Sequence, residues 1–178
     1  SVEKKKVVLT VATASDETRF KIKGINFLIH AALRMPSTEF IVVGIEPDLA
    51  YSFRPPLNMT FHPAIKHEKL LEFYQQAKVY CQPSRREGLP NALCEAMLCG
   101  CIPVATNVGG NSTAIGDSGF LVPYNDVDAL VDSLKQALEN ETDVASKARA
   151  RIVSLFPKEK REVDLLSLIE KLSHEATH

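Results

Sequence analysis

The chain has 178 residues, 45% of them hydrophobic, and a formal net charge of -1. That length can bury a core without disulfide or metal staples. The balanced charge argues against a general nucleic-acid binder, whose surface would be basic, and no apolar run approaches the roughly 20 residues of a membrane span.

The opening, SVEKKKVVLTVATA, pairs a basic lead with an apolar stretch that is too short and too strand-like for a secretory leader. It reads as a buried strand from Lys6 to Ala14. Gly24 to Met35 sets Ile25, Leu28, Ile29, Ala32 and Leu33 on one helical face. Glu39 to Gly44 is a second strand, with Gly44 ending it. Pro47, Pro55 and Pro56 then mark a connection that is neither central strand nor helix interior. Asn58 to His62 is a third strand, Glu68 to Ala77 a helix and Val79 to Gln82 a fourth strand.

Asn91 to Cys99 is the next helix, with Pro90 near its first turn, where a missing N–H costs nothing. Ile102 to Thr106 and Gly119 to Val122 complete the strands. Asp126 to Glu139 is a helix with Val127, Leu130, Val131, Leu134 and Leu138 on its apolar face, and Glu162 to Leu172 repeats that pattern before a tail expected to fray from Ser173. Strands alternating with helices predict an α/β fold: a Rossmann-like parallel six-stranded sheet with helices on both faces. Ligands of such sheets bind beyond the carboxyl ends of the strands.

The cysteines, Cys81, Cys94, Cys99 and Cys101, contain no C-x-x-C pair, so zinc is not expected. They read as small buried hydrophobes, with Cys81 and Cys101 in or beside strands and Cys94 on a helix. Free thiols point to a reducing, cytoplasmic setting. There the N-x-S/T triplets at Asn58, Asn111 and Asn140 carry no meaning.

The chemistry concentrates between Pro83 and Gly110. Glu87 and Glu95 stand eight positions apart around a Gly-Leu-Pro-Asn turn that leads into a helix, and Gly109-Gly110 closes the strand beyond it. Carboxylates suit vicinal hydroxyls, because each can accept from two neighbouring O–H groups. Arg19, Lys21 and Lys23 immediately precede the helix start at Gly24, where free N–H groups and the helix dipole favour anionic oxygens. Taken singly, these cations and carboxylates read as solvated surface groups. The complete word EGLPNALCEAMLCG outweighs that reading.

That word, together with Lys23-Gly24 and Gly109-Gly110, resembles the donor-sugar site of GT-B glycosyltransferases, in the retaining E-x7-E family (group 1, family 4-like). The resemblance implies that residues 1–178 form the C-terminal nucleotide-sugar domain and that the N-terminal acceptor domain is absent from this chain, supplied in cis or by a partner subunit. It implies transfer of a hexosyl group from a nucleotide-diphosphate sugar to an acceptor hydroxyl with retention, without a metal or other cofactor. An isolated domain would be inactive, and any peripheral membrane contact would belong to the missing half.

Carried over by position, Lys23 and Arg19 stabilise the leaving diphosphate and Glu87 holds the hexose, with the backbone of Gly88, Leu89 and Asn91 completing its contacts. Glu95 takes the ribose diol, Gly24 and the Gly109-Gly110 turn line the site, and Ile65 contacts the base. The chain departs from the family pattern at Ala14-Ser15, where Gly-Arg is usual, and at Ser112-Thr113, where Pro-Glu is usual. Asp126-Val127-Asp128 spells the metal-binding word of the other main glycosyltransferase fold, but at the head of an apolar-striped helix it reads as a cap. The alternatives are a non-catalytic nucleotide-sugar binding or scaffold domain, half of a nucleotide-sugar epimerase, and a flavodoxin-like regulatory domain.

Overall fold

The computed structural model describes residues 3–140 and 143–157. Its sheet is six-stranded and parallel throughout, in the order β3-β2-β1-β4-β5-β6. The strands are β1 (Lys5–Ala14), β2 (Glu39–Ile45), β3 (Met59–His62), β4 (Ala77–Gln82), β5 (Ile102–Thr106) and β6 (Phe120–Val122). Between and after them run α1 (Glu17–Ile22), α2 (Ile25–Leu33), α3 (Pro47–Ser52), α4 (His67–Gln76), α5 (Asn91–Leu98), α6 (Gly110–Ile115), α7 (Val127–Glu139) and α8 (Asp143–Leu155).

The strands are apolar almost throughout because both faces are covered, and the period-2 alternation of side chains divides them between two cores. Val8, Val42, Val79, Cys81 and Val104 meet α2 and α7 on one face. Leu9, Val43, Tyr80 and Ala105 meet α4, α5, α6 and α8 on the other. Chain order reverses between β1 and β4. From β1 the chain builds outward through β2 and β3, then returns to lay β4, β5 and β6 on the opposite side. That reversal leaves a crevice above the carboxyl ends of β1 and β4.

Several local expectations are revised. Gly44 does not end β2, which continues to Ile45. Its φ of 105° lets the strand pass where a Cβ would lie 2.6 Å from the Ala12 carbonyl oxygen, beside an irregularity in the β1–β2 register. The proline-marked connection contains α3, which begins at Pro47, a first-turn position that needs no N–H. α1 opens on Asp16, whose carboxylate accepts from the Arg19 amide at 2.8 Å, and buries Phe20 against the Phe53 ring at a centroid distance of 4.0 Å. α8 was also unforeseen. The stripe at Glu162–Leu172 and the tail from Ser173 lie outside the described residues.

Asn58 donates through Nδ2 to the carbonyls of Ala32, Met35 and Thr38 and so ties the end of α2 to the start of β3. Cys81 lies in β4, Cys101 just before β5 and Cys94 on α5; burial pushes the Cys101 thiol up to about 11. Among the described residues no helix is long and apolar enough to cross a membrane. Asp126 caps α7 by accepting from the Ala129 amide at 2.9 Å, while Asp128 pairs with Arg34. Asp126→Ala should therefore lower stability by about 1 kcal/mol in urea unfolding, and added divalent metal should not change the size of that loss.

Candidate functional site

The β1–β4 crevice is built from two stretches of chain that arrive from opposite sides. Lys23 follows β1 and α1; Glu87 follows β4. They meet in a 2.7 Å ion pair between Lys23 Nζ and Glu87 Oε1, with the side chains 30% and 11% exposed. A carboxylate so far out of water requires donors, and three converge on the same oxygen. Besides Lys23, Gln82 Nε2 donates at 3.0 Å and Ser84 Oγ at 2.8 Å. Among the described residues none donates to Oε2, so that oxygen has no protein partner.

Beneath this pair lies a buried polar layer at the carboxyl ends of β4 and β5. The Tyr80 hydroxyl donates to Gln82 Oε1 at 2.9 Å, which orients the Gln82 amide so that its NH₂ faces Ser84 and Glu87. Thr106 Oγ1 donates to the Ser84 carbonyl at 2.5 Å, and Asn111 Nδ2 donates to the Thr106 carbonyl at 2.9 Å. Gln82, Ser84, Thr106 and Asn111 are each at most 2% exposed. Sequence reasoning missed this layer. Its signal was present in polar side chains that close two otherwise apolar strands, at Gln82 after VYC and at Thr106 after IPVA. Asn111, noted only for its triplet, is a buried structural residue.

The glycines hold the turn in place. A Cβ on Gly109, whose φ is 51°, would lie 1.8 Å from the Glu87 carbonyl oxygen, and one on Gly110 would lie 2.4 Å from that of Gly88. The Gly110 amide donates to the same Gly88 oxygen at 2.9 Å. The Gly109-Gly110 turn is thus a clasp on the backbone of the Glu87 turn. Gly24 plays the matching part for Lys23. It is buried at φ 71° with its Cβ position 1.9 Å from the Pro83 carbonyl oxygen, and its amide and carbonyl bond to Lys21 and Leu28. With both backbone groups engaged, Gly24 packs the lysine turn against β4 and does not itself offer an N–H to a ligand.

Gly88 differs, with no protein atom within 4 Å of its Cβ position. Leu89 is 45% exposed and Asn91 is exposed at the first position of α5, a helix with no side-chain cap. Unbonded amides at such an end suit anionic or hydroxyl oxygens. Arg19 stands one helical turn before Lys23, and both line a concavity of about 480 Å³ with Thr13, Asp16, Thr18 and Ile22. The Arg19 guanidinium is 4.0 Å from the Asp16 carboxylate, and both side chains are more than half exposed. The Arg19 amide, more than any other group, holds the Asp16 carboxyl below its usual range.

Glu95 is not joined to the Lys23–Glu87 pair. It sits partly buried on α5, and its charge, after burial itself, is the next cause raising the Tyr74 hydroxyl well above the usual tyrosine range. The two do not meet in hydrogen-bond geometry, since the Tyr74 hydroxyl is buried without a partner. Ile65 lies in the β3–α4 connection, partly buried against the core cluster that contains Tyr74 and Tyr80. His62 is edge-on to Phe73 at a centroid distance of 5.3 Å.

Residues 1–154 match the model of the family described as Glycosyl transferases group 1, and the chain belongs to that family. The D-inositol 3-phosphate glycosyltransferase of Mycolicibacterium smegmatis is 28% identical over 76% of this chain and 34% of its own length. The Escherichia coli UDP-Gal:alpha-D-GlcNAc-diphosphoundecaprenol alpha-1,3-galactosyltransferase is 26% identical over 68% of this chain and 34% of its own. The chain therefore spans about a third of these curated relatives.

Among solved structures, sucrose-phosphate synthase from Thermosynechococcus elongatus superposes with a TM-score of 0.81 at 25% identity, over 96% of this chain and 46% of that one. An S. aureus TarM variant solved with fondaparinux, alpha-GlcNAc-glycerol and UDP gives 0.77 at 20% identity, over 92% of this chain and 35% of that one. The fold is thus the Rossmann-like α/β domain of GT-B glycosyltransferases; the alternation of elements implied the parallel sheet, and the resemblance implied GT-B.

Because Gly109 has a positive φ and no room for a Cβ, Gly109→Ala should destabilise the chain by at least ~2 kcal/mol in denaturant unfolding. Gly88→Ala, with open space at its Cβ, should stay within about 1 kcal/mol of the parent.

Proposed function

We propose that the chain is the nucleotide-sugar half of a retaining hexosyltransferase, working with an acceptor-binding domain in cis or on a partner subunit. The observation that carries this reading is the Lys23–Glu87 pair spanning the β1–β4 reversal, with a cation on one side and a free carboxylate oxygen on the other. A nucleotide-diphosphate sugar needs both at neighbouring points. Its phosphates take cations and unpaired N–H groups, and its hexose hydroxyls take a carboxylate acceptor and backbone groups.

Lys23, with Arg19 behind it, neutralises charge that grows on the departing diphosphate. Such a contribution is largest in a dry cleft closed by a second domain. Glu87, held through Oε1, offers Oε2 to the hexose; Gly88 lets the sugar approach the main chain, and Leu89 and Asn91 border it. Glu95 accepts from the ribose diol, and Ile65 packs against the base. Retention follows from attack by the acceptor hydroxyl on the face that the diphosphate leaves, with a phosphate oxygen taking the hydroxyl proton. No protein side chain is assigned as nucleophile or general base. The chain by itself would bind the sugar nucleotide without turnover.

Glu95→Gln should weaken nucleoside diphosphate binding about tenfold in calorimetry, the value of a hydrogen bond to a charged group. Lys23→Ala, placed in the complete enzyme, should lower kcat by roughly 10²-fold or more while changing KM little. An unchanged kcat for that variant removes the diphosphate clamp. Binding without transfer once an acceptor domain is supplied would indicate a scaffold, and inversion of the sugar without transfer would indicate an epimerase.

A further inference from the structure

The donors on Glu87 are unevenly shared. A carboxylate oxygen has about two lone-pair sites to offer, yet Lys23 Nζ, Gln82 Nε2 and Ser84 Oγ all come to Oε1, at 2.7, 3.0 and 2.8 Å. Gln82 and Ser84 are built in. Each is at most 2% exposed, the Gln82 amide is turned by the Tyr80 hydroxyl, and Ser84 Oγ accepts from Gln82 Nε2 at 2.9 Å. Lys23 is the surplus donor, arriving from the β1 side on a long flexible stem. Without it, Oε1 still has as many donors as lone-pair sites.

Lys23 has the opposite imbalance. Its ammonium carries three N–H bonds, and among the described residues Glu87 is its one partner. The side chain is 30% exposed and also lines the concavity of about 480 Å³ that holds Arg19, Thr13 and Thr18, a lining to which Glu87 does not belong. The loops that carry the pair are tied together. The Arg85 amide donates to the Ile22 carbonyl at 2.8 Å, and Gly24 is pressed against the Pro83 carbonyl. Any rearrangement between Lys23 and Glu87 is therefore one of side chains over a fixed main chain.

We propose that Lys23 is an exchangeable cation, held by Glu87 until a diphosphate in the concavity takes it over. Phosphate oxygens offer the ammonium charge and partners for its spare N–H bonds, while Gln82 and Ser84 keep Glu87 supplied. Once the lysine has left, Glu87 can accept from sugar hydroxyls with Oε2 and with a less crowded Oε1. The carboxylate thus becomes a good sugar ligand only after the diphosphate has bound. A free sugar, with no phosphate to draw the lysine away, meets a carboxylate whose charge is already neutralised. This inference deepens the nucleotide-sugar reading and rests on it.

The test is a binding cycle on the 178-residue chain. UDP, GDP and ADP are screened by calorimetry, and the best-bound one is used to measure the effect of Lys23→Met in the parent and in Glu87→Gln. If the lysine must leave Glu87 to reach the diphosphate, breaking the pair cancels part of its contribution in the parent. Lys23→Met should then weaken binding about fivefold more in Glu87→Gln than in the parent, a coupling of ~1 kcal/mol. Repulsion between Glu87 and the phosphates is common to both lysine states and drops out of the cycle. Equal costs in the two backgrounds would overturn the exchange and leave the nucleotide-sugar reading standing. Arg19→Gln is the control and should cost the same in both backgrounds; a fivefold difference there too would reduce the effect to general charge and overturn the proposal.

Ser84→Ala gives a second route should Glu87→Gln fail to fold. With one built-in donor lost, Glu87 holds Lys23 more tightly, so the nucleotide should bind about threefold more weakly, although Ser84 does not line the concavity. That loss should vanish in Lys23→Met. Unchanged affinity, or a loss that persists without the lysine, would overturn the proposal. A parent that binds no nucleoside diphosphate would overturn the nucleotide-sugar reading and this inference with it.

Discussion

A carboxylate that is largely withdrawn from water must be supplied with donors in place of the water it has lost. Glu87 is such a group, and much of the carboxyl edge of this sheet serves it. Lys23 arrives from the β1 side, Gln82 and Ser84 from the end of β4, and both glycine turns close onto the same backbone. Each supplier is itself held: Gln82 by Tyr80, the Ser84 carbonyl by Thr106, and Thr106 by Asn111. A half-satisfied polar network would be worse than an apolar one. Gln82 and Ser84 pass this order on to Glu87, and Asn111 Oδ1 is the one buried atom of the layer left without a partner among the described residues.

The topology explains why this investment sits where it does. Parallel strands send their connections over the carboxyl edge, and only where the strand order reverses do neighbouring connections diverge enough to leave room. Here the reversal separates β1 from β4. An ion pair between the segments that follow those strands spans the crevice, and the two buried cores on either side of the sheet hold its walls. The glycine contacts are close enough that no other residue fits without moving backbone. The geometry of the pair is thereby passed to the main chain as well as to the side chains.

The strands were legible because runs such as VVLTVATA, FIVVGI and IPVAT are β-branched and apolar, which follows from burial on both faces. α2, α4, α5 and α7 were legible from their spacing, to within a residue or two at their ends. What escaped was short or weakly patterned. α1 and α3 are six residues each and bury one side chain apiece, Phe20 and Ala50, too little to register as a stripe. α6 begins at a glycine that reads as turn, and α8 buries only Ala148 and Ile152.

At the site, Lys23 and Glu87 stood out in the sequence because they belong to a recognisable word. Gln82, Ser84, Thr106 and Asn111 did not, because their function is set by a partner from another strand. The close packing of Gly24 against Pro83 was not legible either, because that approach is a tertiary fact.

The central claim is that a sugar nucleotide occupies the β1–β4 crevice against Lys23 and Glu87, and amide chemical-shift mapping by NMR on adding a nucleotide-diphosphate sugar tests it most directly. The account predicts the largest shifts at Lys23, Glu87, Gly88, Leu89 and Asn91. Shifts concentrated instead around Val7, Leu9, Ile41 and Phe73, which line a separate groove between the sheet and α4, would contradict it.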